Sequence, residues 1–173
     1  MIDLNIKNLN VKNNFKYIVH IADIHIPNNF DKELLEDEYN KVLNNLDIDI
    51  KMRSELKKNN TCIIIAGDIF DMDHGLGNKL HPNAILMFKN FIKKINKRGT
   101  LVLISGNHDN NITHQHKDGK IIDILSSVIN DTNNVGKNIF YLKDSGKYRL
   151  GNLILYHTSV FDIDKTENYE DRL

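Results

Sequence analysis

Three short apolar runs each break off into a cluster of Asp, His or Asn, residue types able to ligate metals, and nothing else in the 173-residue chain constrains its fold as tightly. Tyr17 to Ala22 leads into Asp23-Ile24-His25, and Cys62 to Ala66 leads into Gly67-Asp68-Ile69-Phe70-Asp71. Leu101 to Ile104 leads into Ser105-Gly106-Asn107-His108-Asp109. Continuous apolar runs of this length suit strands buried on both faces, as in parallel sheets. Ligands bind such sheets at the carboxyl ends of the strands, so three parallel strands would carry three distant clusters to one edge. Each cluster alone looks like an ordinary Asp or Gly turn. Three at successive strand ends do not.

Helical periodicity fills the gaps. A helix is expected from near Asp31, with Leu35, Tyr39, Val42 and Leu46 on its apolar side, and Asp47 to Asn60 continues the period as a second helix through Ile48, Met52 and Leu56. Pro82 can open a helix whose stripe is Ile85, Phe88, Ile92 and Ile95. Lys93, Lys94, Lys97 and Arg98 lie off that stripe as a solvated face, and Gly99 ends the helix. A polar loop from Asn110 to Gly119 precedes a short helix holding Ile121, Ile124, Leu125 and Val128. From Asn138 the rhythm shortens to strands at 139–142, 148–150 and 153–156, with Gly146 and Gly151-Asn152 as turns. A charged, aperiodic tail covers 162–173. The expectation is one α/β domain over 1–173: a mainly parallel sheet flanked by helices, then a short β-meander.

Composition limits the setting. The chain is 40% hydrophobic and 27% charged, enough to form a core. Lys plus Arg and Asp plus Glu both number 23, so the net charge is zero and no long-range field draws in a polyanion. The single cysteine, Cys62, sits in an apolar run, where a buried thiol is expected, and a lone cysteine allows no disulfide within the chain. Residues 1–14 are polar and lack the apolar core of a secretion signal, and no apolar stretch nears the roughly 18 residues that cross a bilayer. An intracellular setting is expected, in the cytoplasm or with the nucleoid or nucleus, neither secreted nor held in a membrane.

Asp23-x-His25, Gly67-Asp68-x-x-Asp71 and Gly106-Asn107-His108-Asp109 resemble the first three motifs of the calcineurin-like metallophosphoesterases, over about Tyr17 to Phe161. The resemblance implies the N-terminal half of that family's sandwich fold and two divalent metal ions, manganese by preference and iron or zinc otherwise. Asp23 and His25 would hold the first ion, Asp68 would bridge both, and Asn107 would bind the second. His108 would face the scissile phosphate with Asp109 orienting its ring, and Asp71 would support the site from behind. The residue types suit this chemistry, since a carboxylate can reach two ions, a neutral amide adds an oxygen without charge, and a histidine off the metals can give a proton. Gly-Asp-x-Phe-Asp, the helical insert between the first two motifs, and Ser-Gly-Asn-His-Asp resemble the double-strand-break repair exonuclease branch. That branch implies DNA as substrate and an ATPase partner with a long coiled coil.

The family closes its site with a later histidine and a Gly-His-x-His motif, and neither occurs here. The domain is therefore expected to be incomplete, with a C-terminal half supplying the missing histidines. His157, in Tyr156-His157-Thr158, is expected to be a half-buried strand histidine and no ligand. His20 is expected to pack away from Asp23, and His74, His81, His114 and His116 to be solvated loop residues. Three functions stay open: a metal-dependent phosphodiesterase acting on DNA, a non-catalytic half-domain that binds metal or a partner, and a small-molecule phosphatase or phosphodiesterase.

Overall fold

A computed structural model of the chain describes residues 6–28, 33–71, 80–109, 123–130 and 138–165. Its centre is a four-stranded, all-parallel sheet made of β2 (Tyr17–Ile21), β4 (Thr61–Ala66), β6 (Thr100–Ile104) and β7 (Ile139–Leu142), in the order β2-β4-β6-β7. Alternation along each strand divides the side chains between two cores. Ile63 and Ile65 of β4 and Leu101 and Leu103 of β6 face the helices, joined by Val19, Ile21, Ile139 and Tyr141. Cys62, Val102 and Leu142 face the opposite way, with Ile64, Ile104 and Phe140 beside them. Both faces are covered, which is why these strands read as unbroken apolar runs rather than alternating ones.

The helical side carries α1 (Glu33–Met52) and α2 (Pro82–Ile95). On α2 the side chains of Phe88, Phe91, Ile92 and Ile95 are fully or almost fully buried. Each such side chain stabilises the fold by about 1.5–3 kcal/mol relative to exposure. Asn44 accepts from Lys94, and the Arg98 guanidinium grips Asp47 at 3.0 Å, so part of the expected solvated basic face ties the two helices together. Gly99 lies against the start of β4, where a Cβ would come 2.7 Å from the Thr61 carbonyl oxygen.

The other side carries a second sheet, ordered β1-β8-β9, of β1 (Ile6–Asn8), β8 (Gly146–Leu150) and β9 (Leu153–His157). Tyr148 and Leu150 point inward with Leu153 and Leu155 onto Cys62 and Val102. This layer stops short of β2, leaving Ile18 53% exposed. Two-residue strands β3 (Ile26–Pro27) and β5 (Phe70–Asp71) pair in parallel beyond the main sheet, α3 (Ile124–Asn130) follows the third loop, and a 3₁₀ helix spans Val160–Lys165.

Several details differ from expectation. Asp47 to Met52 extends α1 and 53–60 is turn, so no second helix forms there. Val42 is 62% exposed, and the buried positions are Leu43 and Ile50. The closing strands make no single meander: β7 joins the parallel sheet, while β8 and β9 form a hairpin with β1, a strand hidden in a polar N-terminal stretch. Asp162 belongs to the 3₁₀ helix rather than to a tail, and residues 166–173 lie outside the described residues. His20 is exposed rather than packed, because the second sheet does not reach over β2. His81 is no free loop residue: its Nδ1 accepts from the Asn83 N–H and caps α2. His74, His114, His116 and Ile121 lie outside the described residues. Cys62 is buried and free, its thiol pushed up to about 11 by burial.

Candidate metal centre

The three ligand-rich loops leave β2, β4 and β6 at their carboxyl ends and are laced side by side. The backbone N–H groups of Asp23, His25 and Ile26 donate to the carbonyls of Gly67, Asp68 and Ile69 at 3.3, 2.9 and 2.8 Å, which binds the first loop to the second. The β3–β5 pair, with Ile26 opposite Phe70 and Pro27 opposite Asp71, carries this register outward. Between the second and third loops, Gly67 N–H donates to the Ile104 carbonyl at 3.0 Å, and His108 N–H donates to Asp68 Oδ1 at 3.2 Å. Only glycine fits at 106. A Cβ there would collide with Oδ1 and the backbone nitrogen of Asp68.

Asp109 fastens the second and third loops. It is completely buried, and its Oδ1 accepts from the N–H groups of Ile69 and Phe70 while Oδ2 accepts from Gly106 N–H, each at 2.9 Å. Its pKa is raised to about 6, chiefly by burial and further by the nearby Asp68 charge, against the downward pull of the three N–H donors. The bonds of Asp109 act on the main chain of both loops, a role that the sequence did not suggest.

The backbone at this edge is strained. Four non-glycine residues have positive φ among the described residues, and three are Asp23 (54°), His25 (48°) and Asp68 (48°). Left-handed backbone costs an L-residue about 1–2 kcal/mol, less for Asp, and such strain persists where surrounding structure enforces it. Here the enforced conformation gathers ligand atoms. One each from Asp23, His25 and Asp68 lie within 4.8 Å of one another, as do those of His25, Asp71 and His108. The rings of His25 and His108 meet edge to face, 5.0 Å between centroids. Asp23 is exposed, while His25, Asp68, Asp71 and His108 are half-buried. Asn107 stands exposed on the third loop.

Two carboxylates and an imidazole held this close suit a divalent cation of borderline softness, and the missing Cβ at Gly106 leaves the room that the Asp68 side chain occupies. His157 belongs to neither ligand group. It is buried at the end of β9, opposite Gly146.

Two supporting residues carried no signal in the sequence. Asn28, 2% exposed, accepts from the His81 N–H at 2.6 Å and so joins the exit of the first loop to the start of α2. Asp123 accepts from Ser126 N–H at the head of α3 and from the Tyr141 hydroxyl, and it pairs with Lys143 at 3.0 Å. Burial pushes the Tyr141 hydroxyl well above the ordinary tyrosine pKa. Neither Asn28 nor Asp123 belongs to a periodic run, so pattern alone could not single them out.

The sequence matches the family described as calcineurin-like phosphoesterase over residues 16–172. "Uncharacterized protein R555" of Acanthamoeba polyphaga mimivirus is 36% identical over 154 residues, 88% of this chain and 10% of the relative. The chain thus spans about a tenth of that protein's length.

Proposed function

Since the chain belongs to the calcineurin-like phosphoesterase family, we propose that it hydrolyses phosphoesters at the carboxyl edge of its parallel sheet, with DNA phosphodiesters as substrate. The observation that carries this reading is the strained convergence of Asp23, His25 and Asp68. In the metal-loaded protein Asp23, His25 and Asp68 would hold one ion, and Asp68 and Asn107 a second, manganese by preference. Such ions supply positive charge to a phosphoryl oxygen and lower the pKa of a bound water.

His108 is kept for the proton. Its backbone is anchored to Asp68 and its ring is set against that of His25. From there it would give a proton to the departing oxygen, a contribution worth about 100- to 10,000-fold in rate. Asp71, whose carboxylate lies in the same group of ligand atoms as His108, would help to position that ring. Asp109 would hold the loops in register from below.

DNA as substrate, within the repair exonuclease branch, rests on the sequences Gly67-Asp68-Ile69-Phe70-Asp71 and Ser105-Gly106-Asn107-His108-Asp109. On this proposal a coiled-coil ATPase is the partner, a C-terminal half completes the ligand set, and the protein works inside the cell.

The test is hydrolysis of bis-(p-nitrophenyl) phosphate and of DNA with manganese, by the chain alone and with a complementing C-terminal half. Asp68→Asn should lose metal binding and turnover together, whereas His108→Ala should lose turnover and keep metal. Equal loss of metal by both variants would make His108 a ligand. Metal binding without turnover under any pairing would leave a non-catalytic half-domain, and turnover of the small ester without DNA would leave a small-molecule phosphodiesterase.

A further inference from the structure

At the opposite, amino edge of the same strands lies a hollow of about 440 Å³ between residues 12–16 and the turn before β4. Lys12, Lys16 and Lys57 line it together with four asparagines, among them Asn13 and Asn60, and no acidic residue takes part. The strands put about 20 Å between this hollow and the ligand-bearing loops, at about 3.3 Å per residue.

Its walls are firmly tied. The Asn60 carbonyl accepts from the N–H groups of Lys16 and Tyr17 at 2.8 and 3.1 Å. The Asn60 side chain holds its own turn, accepting from Lys57 N–H at 2.8 Å and donating to the Glu55 carbonyl at 3.2 Å. On the facing wall Asn13 donates to the Thr100 hydroxyl at 3.1 Å, and Phe15 exchanges two hydrogen bonds with the Asn152 side chain. Three lysines line this one hollow, and among the described residues none of the three enters an ion pair. Lysine ammonium groups and asparagine amides are both donors suited to the oxygens of a multiply charged anion. A neutral ligand would leave three positive charges uncompensated, and a cation would add to them.

We infer that this hollow binds a phosphate-bearing anion, separately from the metal centre. The same chemistry is offered by a small polyphosphate and by a nucleic-acid backbone. Because the protein's net charge is zero, such binding has to come from this local patch rather than from a general field.

The test uses the full chain in EDTA, with two probes at low salt. Pyrophosphate is followed by calorimetry, and a fluorescent single-stranded oligonucleotide by anisotropy across a salt series. The comparison is between wild type, a Lys12→Gln/Lys16→Gln/Lys57→Gln variant, and a Lys41→Gln/Lys51→Gln/Lys93→Gln variant of the same net charge. The hollow variant should bind at least tenfold more weakly while the control binds like wild type, both melting like wild type. Lys57→Gln alone should give an intermediate loss, which guards against misfolding of the triple variant. Asp68→Asn should bind both probes as wild type does. If the backbone is the ligand, the log–log salt slope should shrink by about 2, at about 0.7 per phosphate contact on a single strand. Loss confined to pyrophosphate would assign a small anion. Equal loss in the control variant, or no binding of either probe by wild type, would overturn the inference.

Discussion

Two parts of this molecule are rich in Asp, His and Gly, and they are built on opposite terms. At the open end of the β8–β9 hairpin, opposite its turn, the polar groups are spent on neighbouring backbone and side-chain partners. Ser159 donates its hydroxyl to the Lys143 carbonyl, Ser145 Oγ accepts from Ser159 N–H at 2.7 Å, and Asp162 accepts from Ser145 N–H at 3.0 Å. His157 is buried beside them, and none of these residues has a left-handed backbone. At the carboxyl edge of the parallel sheet, Asp109 is fully spent in that way and Asp68 gives one oxygen to the His108 N–H, while Asp23, His25 and Asp68 hold left-handed backbones and bring ligand atoms close to one another. Satisfied, relaxed polar groups mark a structural knot. Strained ones that converge mark a site.

The contrast breaks most visibly at Asp109. Asp109→Ala orphans three N–H donors, at about 1 kcal/mol or more each, so unfolding in urea should register a loss of about 3 kcal/mol or more. The response to metal should weaken with it, since the second and third loops lose their common anchor.

Ser159→Ala tests the knot. It should cost about 1–2 kcal/mol in the same urea experiment, because it strands the Lys143 carbonyl and the Phe161 N–H, and it should leave metal binding untouched. A loss of metal affinity in that variant would dissolve the distinction between the two regions.

His157 should show a smaller, pH-dependent effect. Burial holds its imidazole below the ordinary value, against the upward pull of Asp162 and Asp144. The unfolded chain then takes up a proton that the fold refuses, so this contribution is complete above about pH 6.5 and fades as pH falls through and below that value. Melting temperatures of metal-free protein between pH 5 and 8 should therefore fall on the acid side, less steeply in His157→Gln.

These contrasts also explain what the sequence made legible. The parallel strands were plain because two covering layers force unbroken apolar runs such as Cys62 to Ala66. The three loops were plain because each carries its ligand types within five residues of a strand end. The second sheet was harder to read. Ile6–Asn8 has only three residues and pairs with a strand about 140 positions away, so no local pattern could announce it. Val42 followed the helical period and still faces solvent, because the buried side of α1 is set by where α2 lies. Asp109 and Asn28 look like loop residues in sequence, and their function is visible only through the main-chain donors that they accept from.

The gentlest substitution is Asp23→Gly. Glycine accepts φ of 54° without strain and Asp23 is exposed, so metal-free stability should stay within about 0.5 kcal/mol of wild type. Manganese should not raise the melting temperature of this variant, in contrast to the rise expected of wild type.

The central claim, that the three loops form one metal-holding site, is tested most directly by thermal melting of wild type and Asp68→Asn across a manganese titration. A preformed site binds the native state alone, so saturation at about 100 times the dissociation constant should stabilise wild type by about 2.7 kcal/mol. Asp68→Asn should show little or none of that gain. A wild-type melting temperature that stays flat into millimolar manganese, or one that rises equally in Asp68→Asn, would contradict the account.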